Sequence, residues 1–495
     1  MKLIFRHLAR TATLLTLIVS AITFTPSLSS ATTPTWVDTA LTTGNHPAAL
    51  FDIQCLSETF CRAAGRDAAV FTFDGTRWTS QTLSIPSPAD RLAVITSLSC
   101  FSTTFCAAVG SAYDSTSQTY FPVAWIDANG TWTAQSFGSG GTLRYNGVGL
   151  GLTSVACVSR SSCTAVGQDP ATDAAIIKTY ASGTWSDVTP AIYASYAAFS
   201  HIDCHSSVCI ASGGWVTEEG TSAIVAYSTS PTSWAFTSLS TTASADLSLA
   251  TSVSCTATTF CVAVGSEAGY AHAWSISSSA QVSSWTSSTL GASLNADNSS
   301  LWAIDCVSSQ FCAAQGTYHP TTNNAELAFA GTFTAGSWTT QKIVDSLVNT
   351  TDPTYFYAGA YYPAPDSLSC ASASFCVAVG WYNHDADTNL PYASIFDGSS
   401  WVDAPAASQP AATVQGARGD SYASAVSCGP HMAGCYVLGR YVDANGYEDG
   451  VVSYIASASR LPATGVNVSG ELLVASLVVV GGIALLAISR RRATR

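Results

Sequence analysis

Apolar residues recur at every second position along this chain, in short runs separated by polar turns, and one such run keeps returning. The stretch SLSCFSTTFCAAVG at 97–110 comes back almost unchanged as SLSCASASFCVAVG at 367–380. An apolar residue stands two positions before the first cysteine in eight places: Ile53, Leu98, Val155, Ile202, Val253, Ile304, Leu368 and Val426. Period-two spacing sets that residue and the cysteine on one face of a strand. A polar turn and a second cysteine follow, with Ala two residues on in seven of the eight copies (Val437 is the exception). Four residues on stands a glycine in every copy: Gly65, Gly110, Gly167, Gly213, Gly265, Gly316, Gly380 and Gly439. The pattern predicts a hairpin of two strands. A third strand follows, as in PVAWID, AIIKTY, AIVAYS and YASIFD, then a fourth opened by Trp78, Trp132, Trp185, Trp234, Trp285, Trp338 or Trp401.

The cysteines pair by position as Cys55/Cys61, Cys100/Cys106, Cys157/Cys163, Cys204/Cys209, Cys255/Cys261, Cys306/Cys312, Cys370/Cys376 and Cys428/Cys435. Facing positions on neighbouring strands suit a disulfide, for which Cα atoms stand about 5.5 Å apart. Metal binding is the rival reading, but no histidine stands at ligand spacing beside the pairs. First cysteines are 45 to 64 residues apart, the repeat length of propeller blades. The last repeat lacks a Trp strand, while TPTWVDTAL near the N-terminus carries Trp36 and looks like GTWSDVTP and SSWVDAPA. That segment is expected to complete the last blade. The fold class is therefore all-β, an eight-bladed propeller over 32–458 closed by an N-terminal strand. An open solenoid is the alternative, and it leaves the displaced strand unexplained.

Composition adds the compartment. Only 10 % of residues are charged, and 16 cysteines point to an oxidising environment. Residues 1–31 carry Lys2, Arg6 and Arg10, then TLLTLIVSAITF, then SLSSA, the pattern of a secretory signal peptide. At the other end, the apolar run 472–488 is long enough to span a membrane and is followed by Arg490, Arg491, Arg492 and Arg495. Between residues 32 and 464 there are 11 Lys and Arg against 30 Asp and Glu, a net charge of −19. Nucleic acid and anionic lipid are poor partners for such a surface.

Directly before the apolar run stand Leu461, Pro462, Ala463, Thr464 and Gly465. Together with the span and the basic tail, 459–495 resembles the LPxTG sorting signal of Gram-positive cell-wall surface proteins. The resemblance implies that a sortase cuts between Thr464 and Gly465 and joins Thr464 covalently to peptidoglycan; a permanent membrane anchor is the alternative. The Trp turns FDGTRW at 73–78, DANGTW at 127–132 and FDGSSW at 396–401 resemble degenerate Asp-boxes of sialidase-like propellers, as a repeat style without a catalytic signature.

Candidate chemistry gathers in the last two blades. In this strand order, the loops from second to third strand and from fourth strand to the next blade share one rim and vary in length. The longest holds TDPTYFYAGAYYPAPD, with Tyr355, Tyr357, Tyr361 and Tyr362; Trp381 lies in GWYNHDADTNLPY of the same blade, and Asp420 in ARGDSY of the next. Aromatic faces flanked by carboxylates would bind a sugar, and the same rings would equally serve to pack the loop down. Asp385, Asp387 and Asn389 alternate oxygens as a Ca²⁺ loop does, although Leu390 replaces the expected turn glycine. No other cofactor is expected. Arg418, Gly419 and Asp420 spell an integrin-type tripeptide. Hydrolysis of the sialidase kind needs an arginine cluster, and the arginines are scattered. The expectation is a secreted, wall-anchored, non-enzymatic module that binds or adheres to an extracellular glycan or protein. A glycoside hydrolase with two carboxylates meeting across blades, or a purely structural wall protein, are the alternatives.

Overall fold

The computed structural model describes residues 37–456 apart from 44–45, 48, 143–150, 190–195, 231–232, 241–247, 278–283, 295, 322–325, 345–355, 358–366, 386–387, 405–420, 430–431 and 443–447. The expected leader, the sorting motif, the apolar run 472–488 and Trp36 lie outside the described residues. Among those described, no helix is long and apolar enough to cross a membrane.

Eight antiparallel sheets follow one another along the chain, each a blade. Blade 1, for example, runs Leu50–Ser57, Phe60–Gly65, Ala69–Phe73 and Trp78–Thr82, each strand pairing with the next. The first strands of successive blades are neighbours all the way round, and Leu50–Ser57 of blade 1 lies against Ser421–Ser427 of blade 8. The ring closes as the N-terminal segment predicts: Val37–Thr43 adds to Glu448–Ala456 of blade 8, with Val37 opposite Tyr454 and Leu41 opposite Gly450.

All eight expected pairs are disulfides: Cys55–Cys61, Cys100–Cys106, Cys157–Cys163, Cys204–Cys209, Cys255–Cys261, Cys306–Cys312, Cys370–Cys376 and Cys428–Cys435. Their Cα separations are 3.9–4.3 Å, which corrects the expected spacing of about 5.5 Å. The second members, Cys61, Cys106, Cys163, Cys209, Cys261, Cys312, Cys376 and Cys435, are all buried, at most 7 % exposed. Each lies on the second strand of its blade, with a strand on either side. They staple the hairpins and form no part of a ligand surface.

The close spacing has its reason in the amide of the first cysteine, which turns away from its own hairpin. The pair is therefore of the close, non-hydrogen-bonded kind. That amide donates instead to the residue preceding the first cysteine of the blade before: Cys157 to Ser99 (3.0 Å), Cys255 to Asp203 (2.7 Å), Cys306 to Ser254 (3.0 Å), Cys370 to Asp305 (2.7 Å), Cys428 to Ser369 (3.1 Å) and Cys100 to Gln54. Cys55 donates to Ser427 (2.9 Å), carrying the circuit across the closure. The circuit is broken only after blade 3, where Ala156 has no acceptor and the Cys204 amide turns to Asp203 of its own blade (2.7 Å). At seven of the eight sheets the first-cysteine amide on the inner edge, which would otherwise be bare, is thus capped by the neighbouring blade.

A bulge in the first strand recurs in seven blades, looping out Phe51, Thr96, Thr153, Ser200, Thr251, Trp302 and Ser424. At Thr96, Thr153, Thr251 and Ser424 the hydroxyl bridges two blades: that of Thr251 lies 3.0 Å from the Val264 carbonyl and 2.7 Å from that of Leu301. The bulge also explains the repeated glycine. At Gly65, Gly110, Gly167, Gly213, Gly265 and Gly316 a Cβ would come within 1.9–2.1 Å of a carbonyl oxygen of the bulged strand.

Blades join through their flat faces. In three seams a phenylalanine just before the second cysteine plugs into the aromatic pair of the next blade. Phe105 meets Tyr180 and Trp185, Phe260 meets Phe333 and Trp338, and Phe311 meets Phe396 and Trp401, with successive ring centroids 5.4–6.2 Å apart. In the seam of blades 1 and 2, Asp127 takes the place of the third-strand aromatic. It forms a buried ion pair with Arg62 (2.6 Å), whose guanidinium also lies 5.1 Å from the Trp132 ring.

Candidate functional site

The variable rim of blades 7 and 8 brings several of the expected residues together. Trp381 lies near the end of the second strand of blade 7 (Phe375–Asp385), and Asn389 begins its third (Thr388–Phe396). A short extra strand, Phe356–Tyr357, pairs with that second strand, setting the Tyr357 backbone beside Trp381. The Trp381 ring meets Tyr422 of blade 8 edge-on at 5.1 Å, and the Asn389 amide donates to the Tyr422 hydroxyl (3.1 Å). Beneath it, the Arg440 guanidinium stacks 4.4 Å from the Tyr422 centroid, held there because Tyr422 and Arg440 are opposite one another in the ladder. Arg440 is 3 % exposed, so a buried cation supports an aromatic rim in an otherwise acidic chain.

Tyr355, Tyr361, Tyr362, Asp387 and Asp420, with the side chains of Tyr357 and Asp385, lie outside the described residues. Among those described, no group of three or more His, Cys, Asp or Glu is arranged to hold a metal. Asn389, one of the expected Ca²⁺ ligands, commits its amide nitrogen to Tyr422. Tyr422 and Arg440 were not singled out by sequence as site residues. The signal available was their place in ARGDSY and RYVDANGYED, Tyr422 six residues before Cys428 and Arg440 five after Cys435, a difference the bulge at Ser424 takes up.

A second cluster lies around the axis, on the innermost strands. Burial pushes the Asp305 carboxyl up to about 6, helped by the Asp203 charge, and burial raises Asp203 as well. Burial likewise lifts Asp52 to about 6 and lowers the His201 imidazole to about 4. Two carboxyls with raised affinity for protons, sensing each other, are the raw material of an acid/base pair. Their oxygens are already engaged, however: Asp203 accepts the Cys204 and Cys255 amides, and Asp305 accepts that of Cys370. In four other blades serine does the same work. His201 is a link of the same kind, accepting the Val253 amide at Nδ1 (3.3 Å).

No protein-family model and no curated protein matches the sequence. Among solved structures, the chain is similar to YCF48 bound to a D1 peptide, at 11% identity and a TM-score of 0.43 over 86% of this chain and 99% of that one. It is also similar to the GH74 xyloglucanase from Xanthomonas campestris, at 8% identity and 0.35 over 84% of this chain and 81% of that one. The β-propeller domain of the Trilobed protease from Pyrococcus furiosus gives 7% and 0.38 over 73% of this chain and 97% of that one. Likenesses this distant say nothing of activity, and the propeller rests on its own eight sheets.

Proposed function

We propose that the protein is an extracellular binding module that takes a glycan or a protein at the rim of blades 7 and 8 and performs no chemistry on it. The observation that carries this reading is the convergence of Trp381, Asn389, Tyr422 and Arg440, drawn from two blades, on one aromatic edge. Stacking rings backed by a fixed cation suit the apolar face of a sugar or an aromatic side chain. Eight disulfides fit an oxidising, extracellular setting. In the same reading a sortase joins Thr464 to the peptidoglycan of a Gram-positive wall, so that the ring is displayed at the surface.

The test is retention of the full chain on a glycan and matrix-protein array, with and without Ca²⁺. Retention lost in Trp381→Ala and Tyr422→Ala supports the rim site. Silence on the array, with the ring folded and oxidised, removes this reading. The hydrolase reading then has one observation in its favour, the raised carboxyls of Asp203 and Asp305, and is tested by turnover of aryl glycosides.

A further inference from the structure

The seam where the ring closes, between blades 8 and 1, keeps a hollow beside its packed core. Blade 1 offers the usual aromatic pair, Phe73 and Trp78, at 5.3 Å. In blade 8 the plug position is Gly434, the only copy of that position with no side chain; the others are Phe60, Phe105, Ser162, Val208, Phe260, Phe311 and Phe375. The Tyr454 ring leans over Gly434, its hydroxyl 2.6 Å from where a Cβ would stand, and Tyr436 approaches Phe73 at 5.7 Å. The result is a cavity of about 640 Å³ between the two blades, lined by Phe73, Arg77, Trp78, Ser80, Tyr436 and Tyr454 among others.

The walls are amphipathic. Tyr436 and Tyr454 pack at 4.8 Å, and neither hydroxyl has a hydrogen-bond partner among the described residues. Burial pushes the Tyr436 phenol up to about 12, with the Tyr454 and Glu58 charges adding to it, and burial together with Glu58 raises Tyr454. Both therefore stay protonated, as donors, at any physiological pH. Glu58 sets a negative field over the two phenols, which works against an anionic ligand there. A guest must present an apolar face to Trp78 and Tyr436 and hydroxyls to two phenols, a serine and a guanidinium. A pyranose ring does both, with axial C–H groups on one face and equatorial hydroxyls around its edge.

We propose that the hollow seam between blades 8 and 1 is a binding site for a neutral pyranose of an oligosaccharide, separate from the rim site and on the cysteine-hairpin side of the ring. The test titrates the full chain with maltotriose, cellotriose and triacetylchitotriose, read by tryptophan fluorescence and calorimetry. Saturable binding is expected with at least one. Tyr436→Phe and Tyr454→Phe, which keep the rings and remove only the hydroxyls, should each weaken it about 5- to 10-fold, the loss of one hydrogen bond. Trp78→Ala should abolish it, and Tyr422→Ala on the rim should leave it unchanged. No saturable binding by any of the three sugars overturns the proposal. So does binding that the two phenylalanine variants leave untouched, or binding that disappears with Tyr422→Ala while the seam variants keep it.

Discussion

The seam between blades 6 and 7 and the seam between blades 8 and 1 use equivalent strands, yet the second keeps a cavity beside it. In the first, Phe311 fills the gap before Phe396 and Trp401. In the second, where Gly434 supplies no plug, the Tyr436 ring meets Phe73 at 5.7 Å and Trp78 at 6.4 Å, and a cavity remains beside them. A third solution lies between blades 1 and 2, where Arg62 and Asp127 are buried as an ion pair against Trp132. Disulfide, bulge, glycine and amide circuit repeat round the ring and make it a ring. One or two side chains per seam make each junction different, and that is where a repeated scaffold acquires sites.

The sharpest way to break the contrast is to hollow out a solid seam. Phe311→Ala removes a plug that is 6 % exposed, and should cost about 3–5 kcal/mol in denaturant unfolding of the full chain. It should gain no affinity for neutral trisaccharides, since no pair of phenols faces the new space; binding there would show that volume alone makes the site. Next in size is the charged seam. Asp127→Ala strands the Arg62 guanidinium and should cost about 3 kcal/mol. Replacing both partners together, Arg62→Met with Asp127→Leu, should recover most of that loss, and an unrepaired double variant would mean the pair itself, and not its filled volume, holds the seam. The smallest effect tests the shared circuit. Asp305 keeps its proton up to about 6 in the folded ring, against 3.8 for the ordinary carboxyl. Wild type therefore gains stability as pH falls through 6, the gain being complete near 4. Asp305→Asn retains an oxygen for the Cys370 amide and has no such charge. It should melt roughly 1–3 °C higher than wild type at pH 8 and equal it near pH 4. His201, held down at about 4, shifts stability in the opposite sense, but it is present in both proteins and cancels from the difference. A gap independent of pH would remove the Asp305 charge from the account.

The blades were legible in the sequence because their determinants are local. Each cysteine pair, its following glycine and its tryptophan sit within one hairpin or two, so spacing alone predicts the sheet, and the missing eighth tryptophan strand points to the N-terminus. Leu98, Ser99 and Cys100 could be placed on a strand in this way. That Ser99 would cap the amide of Cys157, or that Asp127 would meet Arg62, depends on how faces of separate blades meet, and pairing rules along a strand carry no such information. The rim shows the same division. Trp381 was visible as an aromatic in a variable loop, whereas Arg440 read as one of several scattered arginines until the ladder set it opposite Tyr422. Gly434 was the one clue left unused, since a phenylalanine precedes the second cysteine in five copies and a glycine in this one.

The closure has a consequence in time as well as in space. Ser453 bonds to Asp38 across 415 residues, and Cys55 to Ser427 across 372. A chain emerging from its N-terminus makes Val37–Thr43 before its long partner Glu448–Ala456, the last of the described strands. Throughout that interval Val37–Thr43 keeps an open strand edge. Such edges pair readily with a second copy of the same chain. The clasp that makes the finished ring durable therefore makes the unfinished one vulnerable, and the danger grows with every residue still to come.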